Sequence, residues 1–113
     1  MKFLLLHYAD ETTEMSADER REDQALLASW LEETIARGVS LQGNYLQPSR
    51  NAATIRARDG ELLVADGPFA ETKEQIAGFD IIECADLHEA LRVAGAHPTT
   101  RHGTIEVRPF PAE

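Results

Sequence analysis

The segment KFLLLHY, residues 2–8, carries apolar side chains on both of its alternating rows, with Leu4, Leu6 and Tyr8 on one and Phe3 and Leu5 on the other. Successive residues of a strand point to opposite faces of a sheet, so such a strand must be covered on both sides and belongs in the middle. The rest of the chain has to supply its neighbours and its covers. A helix is predicted from Ser16, whose hydroxyl caps the first turn while Glu19 completes a capping box. Leu26, Leu27, Trp30, Leu31, Thr34 and Ile35 recur at helical spacing on one face, and Gly38 ends it. Trp30 lies within that stripe and reads as core. VSLQGNYL, 39–46, alternates Val39, Leu41 and Tyr45 against polar residues, the pattern of a half-buried strand that Pro48 stops.

ATIRAR and ELLVA are joined by Asp59-Gly60, a two-residue hairpin signal, because both central positions of the favoured turn need positive φ. GFDIIECA, 78–85, is the next main strand. Asp86 and Glu89 then open a second helix with Leu87, Ala90, Leu91 and Ala94 on its apolar face, terminated by Pro98. TIEVRPF closes the chain as a strand with Ile105 and Val107 inward. With the hairpin set aside as an insertion, the order is β-α-β-β-α-β: one α+β domain over residues 1–113, a ferredoxin-like βαββαβ sandwich with both helices on one sheet face. The opposite face lacks a cover, so a second copy of the chain is expected there.

At 113 residues one core suffices without metals or cross-links. The formal charge of −9 opposes nucleic acid and anionic membrane as partners, since both would repel the chain. Cys84 is the single cysteine, which excludes an intrachain disulfide and fits a reducing cytoplasm. The apolar run Phe3–Leu6 is too short for a signal-peptide core or a membrane span. No CxxC, HExxH, phosphate-cradling glycine loop or GxSxG occurs, so structural-zinc, zincin, nucleotide-binding and hydrolase-elbow readings have no support and no cofactor is expected; three histidines with acids near one sheet end could bind a metal but lack ligand spacing.

Topology gathers the candidate site. The end of the first strand should lie beside the beginnings of the third and fourth main strands, bringing His7 and Tyr8 together with the 66–78 connection and with His97, Arg101 and His102. His88 belongs to the other end. Asp66, before Gly67-Pro68, either bonds the amides of its own turn, the commoner fate of such an aspartate, or orients a histidine for proton transfer. Phe69 is a plug, a partner contact or a stacking surface. Glu71, Lys73 and Glu74 are a solvated turn with a local ion pair unless a cavity adjoins them. His7 is the histidine of most interest, because burial at a strand end can move its pKa. His97 is expected to cap the last carbonyls of its helix.

DGPFAETKEQIAGF, with the opening KFLLLHYADE and the closing HPTTRHGTIEVRPF, resembles the DGPF branch of the YCII-related proteins over nearly the whole chain. The resemblance implies a ferredoxin-like fold paired into a dimeric α/β barrel, a bacterial cytoplasmic location, and a genomic link to extracytoplasmic-function sigma factors. It also implies a histidine–aspartate pair with the histidine on the first helix. That helix, ADERREDQALLASWLEETIAR, has none, so Asp66 matches the aspartate of the motif while His7, His97 or His102 must replace its partner. Two readings stand. One is a cofactor-independent small-molecule enzyme of lyase or isomerase type, working in a cleft at the dimer. Asp66 and His7 would be catalytic, with Tyr8, Phe69, Lys73, Glu74, His97, Arg101 and His102 around the substrate. The other is a non-catalytic metabolite-binding or regulatory module associated with a sigma factor.

Overall fold

The computed structural model describes residues 1–112. Its elements are β1 (Lys2–Ala9), α1 (Ala17–Ala36), β2 (Ser40–Tyr45), β3 (Ala53–Arg58), β4 (Glu61–Asp66), β5 (Gln75–Glu83), α2 (Leu87–Gly95) and β6 (Thr104–Pro109). Short 3-10 turns at Ser49–Asn51 and Pro98–Arg101 complete the set. β1 is central, as its two apolar rows require: the main sheet runs β2-β5-β1-β6 with every neighbouring pair antiparallel, the ferredoxin-like α+β order. β3 and β4 form a separate two-stranded sheet. Among the described residues no helix is long and apolar enough to cross a membrane.

Local chemistry sets the boundaries. The Ser16 side chain accepts from the Glu19 amide and Glu19 returns a bond to the Ser16 amide, so both halves of the capping box form. Asp86 caps α2 by accepting from the Glu89 amide at 2.9 Å. The hairpin turn has φ of 52° at Asp59 and 80° at Gly60, the two left-handed positions that turn demands. β5 begins at Gln75, three residues before the apolar run, because Gln75 and Ile76 pair with Ala9 and Tyr8.

Phe3, Leu5 and Ile82 are fully buried and meet Trp30 of α1 and Ala90, Val93 and Ala94 of α2, so both helices cover the Phe3/Leu5 face. Trp30 also donates to the Val93 carbonyl at 2.9 Å, tying the helices together. The inward row of α2 is Ala90, Val93 and Ala94; Leu87 and Leu91, expected inward, are 48% and 52% exposed on its flank. β2 departs from simple alternation. A bulge between Ser40 and Gln42 inserts Leu41 as an extra residue, so Val39 is buried before the strand while Leu41 and Tyr45 remain exposed.

Two regions are left open. Leu4, Leu6, Phe79 and Ile81 on the second face of the sheet are only partly buried, with no helix over them. The β3–β4 arm exposes Ile55, Leu62, Leu63 and Val64. The Cα radius of gyration is 16.2 Å, against about 13 Å for a compact chain of this length, and the projecting arm accounts for the excess.

Candidate functional site

On the helix-covered face, the row that begins with Phe3 and Leu5 ends in His7. A polar ring in an inward row has to find partners there, and it finds two. His7 Nε2 lies 2.7 Å from Asp80 Oδ2, and His7 Nδ1 lies 3.0 Å from the Thr99 hydroxyl. Asp80 sits on β5 in the same inward row as Ile82 and is 7% exposed, against 6% for His7. Gly78, the residue paired with His7, lies close against β2, where a Cβ would meet the Asn44 carbonyl oxygen at 2.9 Å. A second bulge falls beside it, where the register shifts between His7 and Tyr8.

Gly43 makes the carboxylate's space. It pairs with Asp80 across β2 and β5, and a Cβ there would fall inside the contact radius of Asp80 Oδ1 and within 3.0 Å of the Phe79 carbonyl oxygen. An alanine at this position would therefore drive Asp80 off His7.

His97 completes the cluster. Its ring centroid is 4.3 Å from that of His7 and 4.7 Å from Trp30, whose edge it meets. Rather than closing the preceding helix, His97 caps the Pro98–Arg101 turn: its Nδ1 accepts the Thr99 amide hydrogen at 3.0 Å. Burial, and next the neighbouring His7, hold its imidazole down at about 4, against the opposing pull of Asp80 and Asp23. Thr99 thus orients both rings, one through its hydroxyl and one through its backbone.

These groups form the floor of a cavity of about 540 Å³ between α1 and β2. Leu27, Leu31 and Ile35, one row of the α1 stripe, make an aliphatic wall, with Leu41 and Tyr45 opposite. Asp23 and His102, bonded to each other at 3.2 Å, also line it. The small residues Ala77, Gly78 and Gly43 beneath the helix keep the space unfilled. One chain supplies all of these walls.

The donor atoms of His7, Asp80 and His97 lie within 4.8 Å of one another, close enough to suggest a metal centre. The hydrogen bonding argues otherwise. An amide N–H can only donate, so His97 Nδ1 holds the lone pair and Nε2 the proton, which leaves the nitrogen facing the cluster nothing to offer a cation.

Of the residues expected at the site, His7, His97 and His102 line the cavity. Asp66 does not pair with His7. It ends β4 on the arm, exposed, and its carboxylate makes no hydrogen bond or ion pair among the described residues; Asp80 takes the place beside the ring. Tyr8 is the next residue after His7 and therefore points to the opposite sheet face. Phe69 is 78% exposed and Lys73 is exposed. Glu74 accepts from the Thr104 hydroxyl at 2.9 Å, and Arg101 pairs with Glu22 at 3.2 Å. None of these six lines the cavity. Asp80, Thr99, Asp23 and Gly43 were not picked out from the sequence. The available signal for Asp80 was its parity with Ile82, which places a charge in an inward row.

The YCII-related domain model matches residues 1–111. An uncharacterised protein of Rhizobium meliloti (strain 1021), R00369, is 41% identical over 117 residues, covering 97% of this chain and 92% of its own. Among solved structures, the 5-chloro-2-hydroxyhydroquinone dehydrochlorinase TftG of Burkholderia phenoliruptrix AC1100, in complex with 2,5-dihydroxybenzoquinone, superposes with a TM-score of 0.57 at 18% identity. That match spans 100% of this chain and 96% of the other, a likeness of fold.

The geometry makes two predictions about stability. Gly43→Ala should cost about 2 kcal/mol, roughly 10 °C in melting temperature, whereas Gly95→Ala, with nothing within 4 Å of its Cβ, should cost little. Equal effects would contradict the crowding at Asp80. The second concerns acid. The unfolded chain protonates residue 97 near the ordinary 6.5 and the folded chain only at about 4, so this contribution is complete above 6.5 and lost as pH falls to 4. Between pH 7 and 4.5 the wild type should lose on the order of 2–3 kcal/mol more than His97→Phe in urea unfolding. Parallel losses would contradict a buried neutral imidazole.

Proposed function

The chain belongs to the YCII-related domain family, and from that premise we propose that it is a small-molecule enzyme that moves protons, of lyase or isomerase type, with Thr99, His7 and Asp80 as its relay. The observation that carries this reading is the buried His7–Asp80 pair at 2.7 Å on the floor of a cavity whose α1 wall is aliphatic. Asp80 accepts from Nε2, which leaves the Nδ1 lone pair to accept from the Thr99 hydroxyl. A substrate proton taken up at Thr99 Oγ1 passes the hydroxyl's own proton to His7 Nδ1, and Asp80 stabilises the imidazolium that forms. The electron pair left on the substrate then expels a leaving group, in an elimination, or shifts and is reprotonated at another atom, in an isomerisation. The aliphatic α1 wall suits a weakly polar body, and a volume of about 540 Å³, against about 150 Å³ for a cavity that encloses benzene, admits a substituted ring with room to spare. The dehydrochlorinase TftG offers a precedent, at the level of fold, for chemistry on a hydroxylated ring.

The second reading is a non-catalytic metabolite-binding module, in which regulation would pass to a partner such as a sigma factor. It is favoured by one observation: both ring nitrogens of His7 are already engaged. In either case we place a second copy of the chain over the open sheet face, where Leu4, Leu6, Phe79 and Ile81 lack cover, and the protein in the cytoplasm.

The two readings separate in one assay. Proteins are screened by thermal shift against hydroxylated aromatic and enone compounds, since a ligand of the native state raises its melting temperature, and hits are then assayed for turnover. Asp80→Asn and Thr99→Val should each lower kcat by about 10²–10⁴ while Asp66→Asn stays within about twofold of wild type. Hits that bind without turnover, or an Asp80→Asn variant as active as wild type, would favour the binding module.

A further inference from the structure

His97 has one nitrogen without a partner. Nδ1 takes the Thr99 amide hydrogen, so the proton must sit on Nε2. Nε2 is 3.8 Å from Asp80 Oδ2, beyond hydrogen-bond reach, and finds no other acceptor among the described residues. The side chain is only 8% exposed, yet it lines the cavity, so this donor is aimed at whatever fills the space. Because the cavity reaches this atom, water or a ligand oxygen can accept from it, and a ligand oxygen held there replaces the water's bond.

We propose that His97 is a fixed hydrogen-bond donor to a ligand oxygen, and that the site therefore takes flat, largely apolar molecules bearing a carbonyl, enolate or phenolate oxygen. This deepens the proton-transfer reading and rests on it for the identity of the substrate, though the donor's geometry stands alone. The ring is locked from three sides: the Thr99 amide on Nδ1, the edge of Trp30 and the tilted face of His7. The titratable groups around it are His7 from β1, Asp80 from β5, Asp23 from α1 and His102. Burial keeps the imidazole neutral, so it polarises an oxygen without surrendering its proton, while His7, one ring away, handles the proton that moves. Two histidines in contact thus divide the work, because one faces a carboxylate and the other a backbone amide.

The test is long-range ¹H–¹⁵N NMR on the full chain labelled at histidine, with His97 assigned by its loss in His97→Phe. The expected spectrum shows His97 in the Nε2–H form, neutral from pH 8 to about 5. The probe is 4-nitrophenolate, compared with 4-nitrotoluene, which has the same shape and no phenolate oxygen. The phenolate should bind tighter, move the Nε2 proton downfield, and lose about tenfold in affinity in His97→Phe, with the toluene unaffected. An Nδ1–H tautomer, zinc binding at Nε2, or a phenolate that binds no better than the toluene, including the case in which neither binds, overturns the proposal. Should the donor and the phenolate preference hold while no variant alters turnover, His97 stands and the catalytic reading falls. If turnover depends on Asp80 but the tautomer is reversed, only the His97 proposal falls.

Discussion

A carboxylate taken out of water must be paired, and the pairing of Asp80 with His7 sets conditions that much of the surrounding sequence meets. Leaving either group buried alone costs on the order of 3–5 kcal/mol, a large share of the stability of a small domain. The pair therefore needs a ring that reaches the neighbouring strand, room for the carboxylate and a third group to hold its far nitrogen. Gly43 gives Asp80 room beneath β2, and the Thr99 hydroxyl takes the remaining nitrogen. The same economy of bulk that admits the carboxylate leaves the space under α1 unfilled, so the pair and the cavity share one origin in the small residues of β2 and β5.

The cavity also explains why the long helix is less buried than its pattern suggests. Trp30 and Thr34 turn into the core and are buried, whereas Ile35, four residues after Leu31, is 60% exposed on the cavity wall. An apolar row over an open space contributes less to stability than one packed into the core. Opposite, the uncovered sheet face and the exposed arm present apolar surface of another kind, flat and wide, suited to protein rather than to a small molecule.

The fold was legible because its signals are local and repeated: two apolar rows in β1, a capping box at Ser16, Asp59-Gly60 in the hairpin, Asp86 before α2. Strand-end convergence was legible as well, since His7 does stand beside Gly78 and Ile105. What topology alone does not give is the direction of a side chain. Tyr8 shares His7's end of the sheet and points the other way. Asp66 precedes a conspicuous turn but rides on an arm with its own sheet, away from the inward row. Asp80 escaped notice because it stands in a strand otherwise read for its apolar residues, although its parity with Ile82 marked it as an inward charge in need of a partner. The bulges at Leu41 and opposite His7 were invisible in the sequence: the first shifts the facing of β2 after Leu41, and the second places Ala77 of β5 as an extra residue between Ile76 and Gly78.

The coupling between His7 and Asp80 can be read by a double-mutant cycle in urea at pH 7, using His7→Gln, Asp80→Asn and the double variant. If these two side chains support one another, the single losses should exceed additivity by about 2 kcal/mol, because removing the second partner costs little once the first is gone. Losses that sum to within about 0.5 kcal/mol would mean the two groups act independently, and the relay built on them would have no foundation.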